Sequence, residues 1–240
     1  MKALSFKLSG KFAFFKKPDV NEQVYFSYNN IPKPTLLGLL GAIIGLGGYA
    51  KECELGNRNN PEFYEKLKYL GIALIPLAKF GRFNKKIQTF NNSVGYASME
   101  SGGNLIIKEQ WLENPAWQIL IKDDKSDEFS KISKFLMEKK AIFIPYLGKN
   151  DHFASISEVK IVNLDEFKEK KGEIISLVLE KNVKNPENNP SEDSFVFSEY
   201  YPIGFDENGF YTLEKTIFTN QIYEIGDGFY KYKESAICFL

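Results

Sequence analysis

Pro32-Lys33-Pro34-Thr35-Leu36-Leu37-Gly38-Leu39-Leu40-Gly41-Ala42-Ile43-Ile44-Gly45-Leu46-Gly47-Gly48 is the stretch around which the chain is organised. Its opening prolines suit the first turn of a helix, where an N–H has no helical partner anyway. Gly47-Gly48 offers a stop through a left-handed residue. Between them Gly38, Gly41 and Gly45 fall at i, i+3 and i+7, which places all three on one helical face. Each interior glycine costs a helix about 1 kcal/mol relative to alanine, so three on one stripe imply that something approaches this backbone closely. Two explanations fit: the helix packs low against a sheet, or ligand phosphates cross the glycine face near the exposed N–H groups of the first turn. The apolar run from Leu36 to Ala50 is shorter than the roughly 18 residues that signal a membrane span.

Working outward, Ala3-Leu4-Ser5-Phe6-Lys7-Leu8 alternates and predicts a strand with Leu4, Phe6 and Leu8 inward. A loop of lysines and phenylalanines follows, from Ser9 to Pro18. After the glycine helix come a short helix within Pro61–Tyr69 and a strand over Gly71–Leu77 with the continuous apolar look of a covered sheet. Gly81 to Ile107 is long, polar and without period, and predicts a protruding hairpin or arm. Ala116–Ile121 is a third strand. Ser126 caps a helix running to Lys140, with Asp127 and Glu128 in its first turn, Lys139-Lys140 in its last, and Phe129, Ile132, Phe135 and Leu136 on its buried face. Ala141–Pro145 is the expected fourth strand. The order β-α-β-(arm)-β-α-β gives an α+β, ferredoxin-like plan of the kind used by RNA-recognition domains, over residues 1–150. Residues 151–240 predict a β-rich portion, with strands at 156–162, 173–180, 194–200, 209–218, 221–225 and 229–233 and a hairpin turn at Asp206–Gly209.

The 240 residues are 43% hydrophobic, 26% charged and 15% aromatic, with a formal net charge of zero. That argues against a free-standing non-specific nucleic-acid binder. The charge is unevenly spread, however: residues 1–120 carry 15 Lys+Arg against 9 Asp+Glu, and residues 121–240 carry 16 against 22. A polyanion would prefer the first half. Cys53 and Cys238 are too few for a disulfide framework or a cysteine-based zinc site, and the lone histidine, His152, rules out multi-histidine metal sites. No phosphate-loop, dinucleotide or nucleophile-elbow motif is present, so no metal or cofactor is indicated. Lys7 and Lys11 interrupt any apolar leader segment, making the cytoplasm the expected location.

Two constellations carry chemistry. Lys11, Phe14, Phe15, Lys16 and Lys17 combine cations for phosphates with rings for bases, as single-stranded nucleic acid requires; equally, Phe12 and Phe14 could be core with the lysines solvated. Arg82, Lys85 and Lys86 repeat the electrostatics on the arm. His152 with Lys149 and Tyr146 could serve a metal-independent ribonuclease, with His152 as general acid or base and Lys149 stabilising the phosphorane; otherwise His152 is a loop residue without chemistry.

Three patches taken together resemble a known family: Leu8-Ser9-Gly10-Lys11-Phe12-Ala13-Phe14-Phe15-Lys16-Lys17-Pro18, the run from Pro32 to Gly45, and Tyr146-Leu147-Gly148-Lys149. They are similar to the CRISPR-associated family numbered five, a RAMP-superfamily subunit of the Cascade surveillance complex, with spacing like the subtype I-B branch. The resemblance implies an RNA-recognition fold, a hairpin thumb at about 81–107, and a subunit that holds the 5′ handle of the guide RNA and caps the backbone filament in antiviral defence. Its implied partners are the guide RNA, the neighbouring backbone subunit and the large subunit, with no membrane and no small-molecule substrate. By position, Lys11, Phe14, Phe15, Lys16 and Lys17 in the loop and Lys33, Thr35, Gly38 and Gly41 on the helix would line the handle. Arg82, Lys85 and Lys86 would lie on the thumb. One branch of the family cuts precursor guide RNA with a Tyr, Lys and His set. Here Asn150 and Asp151 separate Lys149 from His152, so a non-catalytic subunit is expected, with an endoribonuclease using Tyr146, Lys149 and His152 as the alternative.

Overall fold

The computed structural model describes residues 1–18, 23–54, 60–96, 99–189 and 193–240. In chain order the first elements are β1 (Lys2–Ser9), β2 (Phe12–Ala13), α1 (Lys33–Ile44), α2 (Tyr49–Glu54), α3 (Glu62–Leu67), β3 (Ile72–Pro76), β4 (Asn84–Asn91), β5 (Ile106–Glu113), β6 (Ala116–Lys122), α4 (Asp127–Met137) and β7 (Ser155–Asn163). Among the described residues nine strands follow: β8 (Asp165–Glu166), β9 (Lys171–Glu173), β10 (Val178–Leu179), β11 (Lys184–Glu187), β12 (Val196–Phe205), β13 (Tyr211–Thr219), β14 (Ile222–Glu224), β15 (Phe229–Tyr232) and β16 (Ser235–Cys238).

The central sheet has the antiparallel order β3-β6-β1-β7, the ferredoxin-like arrangement expected from the element order. Alternation sorts its two faces. Leu4, Phe6 and Leu8 face α1 and α4 with Ile119, Ile121 and Trp117, in the main core. Ala3, Ala73, Ile75 and Leu120 face the other way and are covered by Leu164, between β7 and β8, and by Tyr232 and Ile237 of the C-terminal strands. This double cover is why β3 is buried along its whole length and reads as an unbroken apolar run.

The fourth strand is not Ala141–Pro145. That segment lies against the end of α1: the N–H groups of Ile142 and Phe143 donate to the carbonyls of Ile43 (2.9 Å) and Ala42 (3.1 Å). Helix ends leave such carbonyls unpaired, and α1 stops early because Gly45, not Gly47-Gly48, takes the left-handed cap at φ 81°. β7 fills the fourth position, so the sheet runs to Asn163, past the expected boundary at 150.

The arm is a regular hairpin. β4 and β5 pair from Asn84↔Glu113 to Asn91↔Ile106, and β2 joins β5 at its foot. It therefore reaches Glu113 rather than ending at Ile107; Ala97 and Ser98 lie outside the described residues. Every residue of β4 is exposed or half-buried, as befits a projecting ribbon. At its root, the buried segment that begins at Ser27 ties the parts together. The Asn29 side chain donates to Gly81 O (2.7 Å) and accepts from Phe83 N (3.3 Å), Trp117 Nε1 donates to Asn30 Oδ1 (3.0 Å), and Tyr201 Oη donates to Ile31 O (2.7 Å).

Candidate nucleic-acid interface

The three patches singled out in the sequence meet around one groove of about 700 Å³, lined among others by Phe14, Lys16, Thr35, Gly38, Phe143 and Tyr146. Backbone bonds hold its walls. Phe14 N donates to Leu147 O (3.0 Å), while Phe15 and Tyr28 are joined by the bond from Tyr28 N to Phe15 O (2.8 Å). Gly148 permits this closeness, because a Cβ on it would lie 1.8 Å from Phe14 O.

The glycine stripe is largely spent on packing. A Cβ on Gly41 would lie 2.5 Å from Phe63 Cβ of α3, and Gly45 is covered by Ile142. Gly38 borders the groove, with the Phe63 ring edge 3.6 Å from where its Cβ would be. For Gly41 the close neighbour is thus a helix, in place of the sheet weighed from the sequence. Thr35, in the first turn of α1, stands half-exposed beside Gly38.

Phe14 and Phe15 turn inward and are only 6% and 4% exposed, so they form the floor of the groove instead of offering free faces. Phe143 (59% exposed) and Tyr146 (46%) supply the accessible rings. Phe143 was hidden in a run that reads as a strand, and Tyr146 stood out as a catalytic candidate and as part of the third patch, not as a ring for stacking. Lys33 also leaves the set: it is buried and donates through Nζ to Leu240 O (2.8 Å), and burial holds its pKa down at about 8.

The remaining cations fall into two groups. Lys16 is exposed with Nζ 3.8 Å from the Tyr25 ring centre. Lys86 and Lys11 both lie by Phe12, at 4.1 and 5.6 Å from its ring centre. Strand alternation separates Lys86 from Lys85. Lys85, Lys17 and Arg82 gather instead at the foot of the hairpin on the side of β12, where Lys17 pairs with Glu199 (3.0 Å) and Arg82 lies 5.5 Å from the Phe197 ring.

Tyr146, Lys149 and His152 are drawn apart in role. Tyr146 borders the groove. Lys149 Nζ pairs with Glu109 Oε2 (2.8 Å), which also accepts from Trp111 Nε1 (2.7 Å). His152 is 4% exposed and sits edge-on to Trp111, 4.4 Å between ring centres, with Phe12 at 6.0 Å. Neither ring nitrogen has a hydrogen-bond partner among the described residues, and burial lowers its pKa, so the ring is neutral near pH 7. It seats the foot of the hairpin.

No protein-family model matches the sequence, and no curated protein does. Solved structures do match in shape. One, described as a CRISPR RNA-guided surveillance complex, aligns with a TM-score of 0.56 at 11% identity, over 93% of this chain and 90% of its own. The fold is shared with CRISPR-associated proteins. A second such neighbour, a CRISPR protein from Archaeoglobus fulgidus, aligns over 100% of both chains with a TM-score of 0.53 at 13% identity. Both carry the mixed α+β plan with a β-rich C-terminal part seen here. Among the described residues, no helix is long and apolar enough to cross a membrane.

Proposed function

We propose that this chain is a non-catalytic, RNA-binding subunit of a CRISPR surveillance complex, and that it holds the 5′ handle of the guide RNA between the groove and the thumb. The observation that carries the proposal is the convergence of Lys16, Thr35, Gly38, Tyr146 and Gly148, from three separated patches, on one groove. Exposed rings at Phe143 and Tyr146 suit bases, and Lys11, Lys16 and Lys86 suit phosphates. The shape shared with a subunit of an RNA-guided complex supports the same role. Ile142, Ile144 and Phe153, large apolar side chains left in solvent beside the groove, suit contact with the backbone and large subunits. The absence of catalysis is supported by the sealed position of His152 and the pairing of Lys149 with Glu109.

The test is anisotropy of labelled single-stranded RNA bearing the repeat-derived 5′ tag, titrated across salt. Lys16→Glu and Lys86→Glu should each weaken binding and flatten the salt slope by about 0.7 per lost phosphate contact. Unchanged affinity and slope in both would overturn the assigned surface. Cleavage of repeat RNA by the purified wild type in a chelator, abolished by His152→Ala, would overturn the non-catalytic assignment.

A further inference from the structure

A second cavity, of about 420 Å³, opens at the foot of the hairpin where β12 and β13 pass beside it. Its walls include Lys17, Lys85, Phe197, Tyr200, Leu213 and Lys215, so most of it comes from the acidic C-terminal portion to which the sequence assigns no nucleic-acid contact. Glu199 is the carboxylate of this cavity, and it is already engaged. Its side chain is 7% exposed, pairs with Lys17 at 3.0 Å and accepts from Asn29 N at 3.2 and 3.1 Å. Lys215 is engaged too, pairing with Glu180 at 2.8 Å.

That leaves two cations. Among the described residues, Lys85 and Arg82 have no carboxylate within ion-pair distance. Burial lowers the pKa of Lys85, Glu199 raises it, and the like charges of Lys17 and Arg82 lower it further. A cation with like-charged neighbours and no free carboxylate is stabilised by an anion from outside. Beside it stands Tyr200, 65% exposed on a strand whose next residue, Tyr201, is fully buried and fixes the backbone through its bond to Ile31 O. An exposed aromatic face on an anchored strand beside an unpaired cation is the arrangement that accepts a base and its phosphate together.

We propose that this cleft is a subsite for one nucleotide of the bound strand, with its phosphate at Lys85 and its base against Tyr200, while Arg82 adds positive charge from outside the cleft. The C-terminal ribbon then becomes part of the RNA-binding surface. The subsite presupposes the RNA-binding role proposed above and extends it.

The experiment uses the full chain with 4-thiouridine-substituted, fluorescently labelled repeat RNA. Tyr200→Ala should weaken binding on the order of tenfold with the salt slope unchanged, since stacking carries no counterion term. Lys85→Ala should weaken binding and flatten the slope by about 0.7. Photo-crosslinks should map to the peptide containing Phe197 and Tyr200. Circular dichroism should be unaltered in both variants, because Tyr200 is exposed and Lys85 makes no ion pair among the described residues. If Lys16→Glu weakens binding but Tyr200→Ala does not, and crosslinks stay within the groove, the subsite is overturned while the RNA-binding role stands. If Lys85→Ala acts and Tyr200→Ala does not, the cleft is a bare electrostatic surface, open to an acidic protein segment, and the nucleotide subsite is overturned. If the wild type binds no RNA, the broader role falls and the subsite with it.

Discussion

Replacing Gly148 by alanine tests whether the groove is built as described. Gly148 has φ +86°, a conformation that costs an L-residue about 1–2 kcal/mol. The added Cβ would lie 1.8 Å from Phe14 O, whereas ordinary contact begins at 3.4 Å, so the two walls must part by about 1.6 Å, the difference of those distances. Such a movement breaks the bond from Phe14 N to Leu147 O, worth about 1 kcal/mol net. The total is a loss of about 3 kcal/mol, which for a chain of this size lowers Tm by about 6–12 °C. Differential scanning calorimetry measures the shift, and RNA anisotropy well below the lowered Tm should show weakened binding in the fraction that remains folded. Gly48 is the control, because a Cβ there meets nothing within 4 Å; Gly48→Ala should change stability by no more than about 0.5 kcal/mol. A Gly148→Ala protein melting within about 2 °C of wild type would refute the close apposition of these two loops.

Three further outcomes follow from packing and burial. Asn29→Ala strands Gly81 O and Phe83 N in the interior and should cost about 2–3 kcal/mol in urea denaturation, with the Phe83 amide losing protection from hydrogen exchange; a loss below about 0.5 kcal/mol would deny Asn29 its bridging role. Gly41→Ala should destabilise by about 1–3 kcal/mol against the Phe63 Cβ, but in a Phe63→Gly background, which removes that atom, it should stabilise by up to about 1 kcal/mol through helix propensity; equal effects in both backgrounds would show that Phe63 is not the obstacle. Burial holds the Lys33 pKa at about 8 against 10.5 when unfolded, so between those values the unfolded chain binds more protons and stability rises with pH. Lys33→Met should remove that rise, at most about 3 kcal/mol, and parallel stability profiles for the two proteins at pH 7.5 and 9.5 would contradict the burial.

Elements with a strong period were legible in the sequence. β1 alternates, β3 is continuously apolar, and α4 carries its own cap, with Ser126 Oγ accepting from Phe129 N at 3.0 Å. Ala141–Pro145 was not, because its apolar residues satisfy strand chemistry while its backbone answers the unpaired carbonyls of α1, a demand set by where Gly45 ends that helix. Phe14 and Phe15 illustrate a second limit. A ring suited to stacking and a ring suited to a core are the same ring, and only the bonds to Leu147 and Ser27 turn these two inward. Lys33 looked like a phosphate ligand until burial and the carbonyl of Leu240 claimed it. Asn29 and Asn30 carried no signal at all, since their partners are 52 and 87 residues away in sequence.

The place of β1 in the sheet has a consequence for biosynthesis. It lies between β6 and β7, so neither edge finds its partner until residues 116–163 have been made. At translation rates of about 5–20 residues per second, the first strand waits roughly 5–20 s after leaving the ribosome with both edges bare. Its alternating face of Leu4, Phe6 and Leu8 is an aggregation hazard for that whole interval. Slowing synthesis across the thumb would lengthen the exposure, and a nascent-chain holdase bound to the first dozen residues would shorten its effect.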